Sequence, residues 1–180
     1  VNSKNKGSSF ERKICRALSL WVSDGQRLDC FWRSAISGGR ATVHHRKGTS
    51  IRQSGDICAV AAEGHILTDT WFIECKHVRN LGLPSFLLSD VGPLARYWAV
   101  ACEQARNHDK HPMLIAKENN QPTIVIVPNN PLFLGRAKLI TKKYVLLLLE
   151  DMLKGEVNEL AKCAERVTDL RANRARVRAA

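Results

Sequence analysis

No apolar run in these 180 residues is long enough to cross a bilayer: the longest, residues 144–149, falls far short of the ~20 residues a spanning helix requires. Residues 2–9 are polar, so no secretory leader is read there, and the expected location is cytoplasmic. Patterned cysteine is also missing. The six Cys, at 15, 30, 58, 75, 102 and 163, make no C-x-x-C pair and no zinc spacing, and their apolar surroundings read as reduced core thiols. There is no G-x-x-x-x-G-K phosphate loop, no HNH-like or zinc-finger pattern and no internal repeat. Acid is scarce as well, with 17 Asp and Glu against 28 Lys and Arg.

The resulting net charge of +11 is unevenly placed. Residues 1–55 carry 11 basic and 3 acidic side chains, and residues 171–180 add four Arg and no acid. Such blocks suit a polyanion, whose condensed counterions are released when Lys and Arg replace them; a solvated basic surface is the other reading of composition alone. Residues 37–55 hold no acid at all, but do hold Arg40, Arg46, Lys47 and Arg52. A loop of that length and charge is expected to contact nucleic acid. His44 and His45 in it are read as exposed or backbone-contacting.

The length supports one core. The division expected is a core over residues 1–140 and a C-terminal helical extension with a basic tail over 141–180. A first helix is predicted over 9–22, with Phe10, Ile14 and Leu18 at helical spacing and Ser8 and Glu11 forming a capping box. Strands are predicted at 30–33, 56–61, 71–77, 113–116 and 123–127, with residues 63–65 as a turn. Pro93 opens a helix to about Asn107, with Leu94, Trp98, Ala101, Cys102 and Ala105 as its buried stripe. Strand, helix and strand in that order imply a parallel crossover and an α/β class with a mixed sheet. Residues 141–153 and 156–170 read as two further helices, the second packing on the domain or forming a dimer seam. Trp32, Trp71 and Trp98 fall inside elements and are assigned to the core.

The chemistry concentrates between Gly55 and His77. Along a strand, side chains alternate faces, so Glu74 and Lys76 point one way while Ile73 and Cys75 point the other. A hard divalent cation such as Mg²⁺ takes oxygen ligands and keeps several waters, so Asp56 and Glu74 with a substrate phosphate would suffice to hold it. Lys76 beside them can position a water and steady charge on the phosphate. The alternative for the same residues is a turn cap at Asp56 and a surface pair between Glu74 and Lys76.

Gly55-Asp56-Ile57, followed by Glu74-Cys75-Lys76, resembles the PD-(D/E)xK nuclease core, with Gly where the motif name has Pro. The run Lys6-Gly7-Ser8-Ser9-Phe10-Glu11-Arg12 is similar to the opening of archaeal and phage Holliday junction resolvases of that superfamily. The run from Ser34 through Ser37 to Arg40 resembles the loop after their first strand. The resemblance implies a restriction-endonuclease-like mixed β-sheet flanked by helices and a Mg²⁺-dependent DNA endonuclease, with Mn²⁺ as substitute. It implies Glu11 as a third metal-site acid, in competition with its capping role, and Ser37 and Arg40 near the scissile phosphate. It further implies a branched or four-way-junction substrate and a homodimer, since symmetric incision needs two sites. Gln104 on the crossover helix and Lys117 at a strand end are accessory candidates, with Arg96 and Tyr97 weaker still. The rivals are a phage nuclease without junction preference and a DNA-binding module without catalysis.

Overall fold

The computed structural model describes residues 3–34, 55–129 and 135–158. In chain order these form α1 (Ser3–Val22), β1 (Phe31–Arg33), β2 (Ile57–Ala59), α2 (Ala62–Thr68) and β3 (Trp71–Val78). They continue with α3 (Leu83–Ser89), α4 (Pro93–Asn107), β4 (His111–Glu118), β5 (Thr123–Pro128), β6 (Leu139–Ile140), β7 (Tyr144–Leu148) and α5 (Leu149–Leu153). The class is α/β. A five-stranded sheet of order β3-β4-β5-β7-β6 is flanked by helices, and β1 and β2 form a separate antiparallel ribbon. The β3–α4–β4 crossover joins parallel strands, and the other neighbours in the sheet are antiparallel.

Each face of the sheet has its own core, and β3 shows how. Trp71, Ile73 and Cys75 are buried with Phe10, Ile14 and Leu18 of α1. On the opposite face Leu114 and Ala116, the β4 partners of Glu74 and Lys76, pack with Leu94 and Ala101 of α4. The strand is thus a wall between two apolar layers, with its polar pair on the α4 side. Ser19 ties α1 to the ribbon: its buried hydroxyl accepts the Phe31 amide at 3.1 Å.

Four expectations are corrected. Residues 144–148 form β7, paired to β5 and β6, rather than the start of a helix. Tyr-Val-Leu-Leu-Leu is apolar without interruption, and a strand covered on both faces has no period that distinguishes it from a buried helix. Residues 63–65 are helical within α2, where Gly64 is required by packing: a Cβ there would lie 2.8 Å from the Cys30 carbonyl oxygen. Helix α1 begins by Ser3, so the amides near Ser8 already lie inside it and the Ser8–Glu11 capping box is not used. Trp71 is buried and Trp98 half-buried, edge-on to Tyr144, but Trp32 is 65 % exposed. Phe31 and Arg33 take the face toward α1, so alternation turns Trp32 to the opposite face, where its indole stays exposed although its cross-strand partner Cys58 is buried.

The predicted helix over 156–170 lies outside the described residues beyond residue 158. Among the described residues no helix is long and apolar enough to cross a membrane.

Candidate active site at the edge of strand β3

β3 is the edge strand of the main sheet, and the chain before β2 is pinned against that edge. Asp56 makes three backbone ties there. Its amide donates to the Ile73 carbonyl at 2.8 Å, and its own carbonyl accepts the Ser34 amide at 2.9 Å. Its carboxylate Oδ2 accepts the Cys75 amide at 2.8 Å. One acid thus joins the ribbon to the sheet, and its side chain is fixed by the strand that carries Glu74 and Lys76.

Gly55 is what lets the chain come so close. Its φ is +84°, and a Cβ at this position would stand 2.6 Å from the Ile73 carbonyl oxygen. A side chain would be strained by the left-handed backbone and would strike backbone that has no freedom to yield. Proline, the residue in the motif's name, is confined to φ near −65° and does not fit this geometry.

Electrostatics at the corner are unfavourable to full ionisation. Asp56 is 8 % exposed, and its carboxyl is pushed up to about 7, first by burial, then by the negative charge of Glu74 and more weakly by that of Glu11. The Cys75 amide and the Lys76 ammonium act the other way without restoring the ordinary value. Lys76 Nζ donates to Glu74 Oε1 at 2.5 Å and lies 5.9 Å from the centre of the Tyr97 ring on α4. Burial alone would lower the Lys76 pKa, but the Glu74 carboxylate and the Asp56 charge outweigh it and raise the value, so the ammonium form is favoured.

Glu11 approaches from the other side of β3. Its carboxylate, 13 % exposed, accepts from Arg33 Nε at 2.5 Å. Arg33 was not among the sequence-based candidates. The signal for it was alternation: on the ribbon, Phe31 and Arg33 share the face toward α1, and a cation on an inward face needs an anion there.

The other candidates divide cleanly. Lys117 Nζ donates to the Gln121 carbonyl at 2.7 Å and closes the β4–β5 turn, away from the acids. Gln104 lies two helical turns beyond Tyr97 on α4, a rise of roughly 10 Å. It lies toward the end of α4, where His108 stacks on Phe72 at the start of β3, so it is not brought to the corner. Tyr97, one of the weaker candidates, is the α4 residue that reaches Lys76. His77 packs its ring on Phe10 at 5.2 Å rather than joining the acids. Ser37, Arg40, His44, His45, Arg46, Lys47 and Arg52 lie outside the described residues.

Among the described residues no group of three His, Cys, Asp or Glu side chains closes around a point as a complete metal cage. The donor set is nonetheless all carboxylate, and a buried acid beside a second acid is electrostatically suited to a cation. A hard divalent ion that keeps waters and takes phosphate oxygens fits such an open set.

A family model described as "Phage putative PDDEXK endonuclease" matches residues 2–163. No curated protein and no solved structure matches the chain.

Proposed function

The chain belongs to this phage PDDEXK endonuclease family, and on that premise we propose that it is a divalent-metal-dependent DNA endonuclease that incises branched DNA, with a four-way junction as its preferred substrate, acting as a homodimer. The observation that carries the catalytic part is Asp56. A carboxylate so buried, held at both its backbone and its side chain, and set beside Glu74, is unfavourable in isolation and becomes favourable with a cation between the acids.

In this reading Asp56 and Glu74 hold the metal, Mg²⁺ with Mn²⁺ as substitute, and Glu11 completes the site directly or through water. When bound, the ion supplies charge neutralisation at the phosphate and lowers the pKa of a coordinated water. Lys76 keeps its proton and places a positive charge beside Glu74, where it orients a water and offsets charge developing on the phosphate. Tyr97 lies under that ammonium and limits where its tip can go. Arg33 holds the Glu11 carboxylate in place. Ser37, Arg40, Arg46, Lys47 and Arg52 supply the phosphate grip, consistent with a segment that enters and leaves the ribbon next to Ser34 and Gly55. The junction and the homodimer rest on the resemblance at Lys6–Arg12 and Ser34–Arg40.

The test is a substrate panel of four-way junction, flap, nicked duplex and linear duplex, with Mg²⁺ or Mn²⁺ supplied. Preferential, paired incision of the junction is expected. Equal cleavage of linear duplex would leave a nuclease without junction preference and overturn the finer reading.

A further inference from the structure

We propose that Trp32 is a stacking platform for an unpaired nucleobase, so that the outer face of the β1–β2 ribbon recognises DNA whose bases are exposed beside the cleavage site. The inference rests on the nuclease reading above and adds how branched DNA would be distinguished from paired duplex.

Trp32 is 65 % exposed, and Val60, two residues beyond its cross-strand partner Cys58, is 56 % exposed. Single exposed apolar residues are ordinary, but Trp32 stands on the ribbon itself and Val60 just past its end, where the Val60 amide still bonds the Cys30 carbonyl at 3.0 Å; Cys58 between them is buried. The ribbon's other face is committed to the site, because Arg33, the next residue, pairs with Glu11. The residue before β2 is Asp56. Trp32 is therefore next in sequence to Arg33, which holds Glu11, and its cross-strand partner Cys58 is two residues from Asp56.

The occupant follows from charge. At one end of the ribbon both strands lead into residues 35–54, which hold four Arg and Lys and no Asp or Glu, in a chain of net charge +11. A partner that combines phosphates for those cations with flat apolar faces for an indole is a nucleic acid with unstacked bases. Fully paired duplex hides those faces, whereas a branch point or a single-stranded flap exposes them.

Binding of fluorescein-labelled DNA in EDTA tests this without metal or cleavage. The probes are a duplex with a single-stranded flap and the same duplex fully paired. In Trp32→Ala, the affinity ratio of flap to paired duplex is expected to fall about 10-fold, the scale of one lost base–aromatic stack. Trp32→Phe should retain most of the ratio, and the salt slope should be unchanged because no charge is removed. Quenching of indole emission by the flap should be present in the wild type and largely lost in Trp32→Phe. An unchanged ratio, or an equal loss on both probes, would overturn the proposal. So would a ratio that survives while Trp32→Ala converts a dimer into a monomer, since the face would then belong to a second copy. Discrimination without any metal-dependent cleavage would instead refute the nuclease reading and leave the stacking intact.

Discussion

Replacing Asp56 with Asn should stabilise the metal-free protein, and the effect should depend on pH in one direction only. The folded-state value of about 7 lies above the ordinary 3.8 of an aspartate, because of burial first and the Glu74 charge second. Between those values the folded chain binds more protons than the unfolded chain. Stability from this group is therefore fully present below pH ~4 and is lost as pH rises through ~7. The gap between those two values corresponds to at most roughly 4 kcal/mol, so about 2–4 kcal/mol is expected. Asn keeps an oxygen for the Cys75 amide and carries no charge at any pH. At pH 8 in EDTA, Asp56→Asn should melt roughly 4–16 °C above the wild type. At pH 4.5 the gap should shrink strongly. Thermal unfolding of both proteins at pH 4.5, 6 and 8 measures it, and a constant packing offset would move all three points alike. A difference independent of pH, or one that grows toward low pH, would refute the electrostatic account.

Other substitutions probe the same corner and the sheet behind it. Gly55→Ala forces a side chain into the left-handed region against the Ile73 carbonyl and should cost about 3 kcal/mol in urea unfolding, whereas an effect below ~0.5 would contradict the close approach. Arg33→Ala leaves the largely buried Glu11 carboxylate without its cation and should cost about 1–3 kcal/mol at pH 7; Glu11→Gln in the same background should recover part of that loss. Lys76→Ala should lower single-turnover cleavage about 10²–10³-fold while DNA affinity changes little, and a loss confined to affinity would reassign the residue to binding. A chain ending at Ile140 removes β7 from between β5 and β6 and should fail to unfold cooperatively, and a cooperative transition in that fragment would show that β7 is dispensable.

How much of this was legible beforehand depended on whether a local rule had a competitor. Alternation along β3 places Glu74 and Lys76 together and buries Cys75, because an edge strand between two apolar layers leaves little freedom in register. Pro93 and the apolar stripe set the bounds of α4, since proline at the first turn has no amide to lose. Residues 144–148 carried no period to read. Gly64 looked like a turn residue, but it serves close packing, which is set by Cys30, more than thirty positions away. The capping box at Ser8 was a valid local pattern overridden by a helix that starts earlier, leaving Glu11 to Arg33. Trp32 was misassigned because a sequence pattern marks a strand without saying which of its faces is covered.

Single-turnover incision of a labelled four-way junction in Mn²⁺, by wild type and by Asp56→Ala with its fold verified, bears most directly on the proposed site. The account predicts cleavage by the wild type and a loss of several orders of magnitude in the variant, with junction binding retained. Cleavage by Asp56→Ala at the wild-type rate would contradict it.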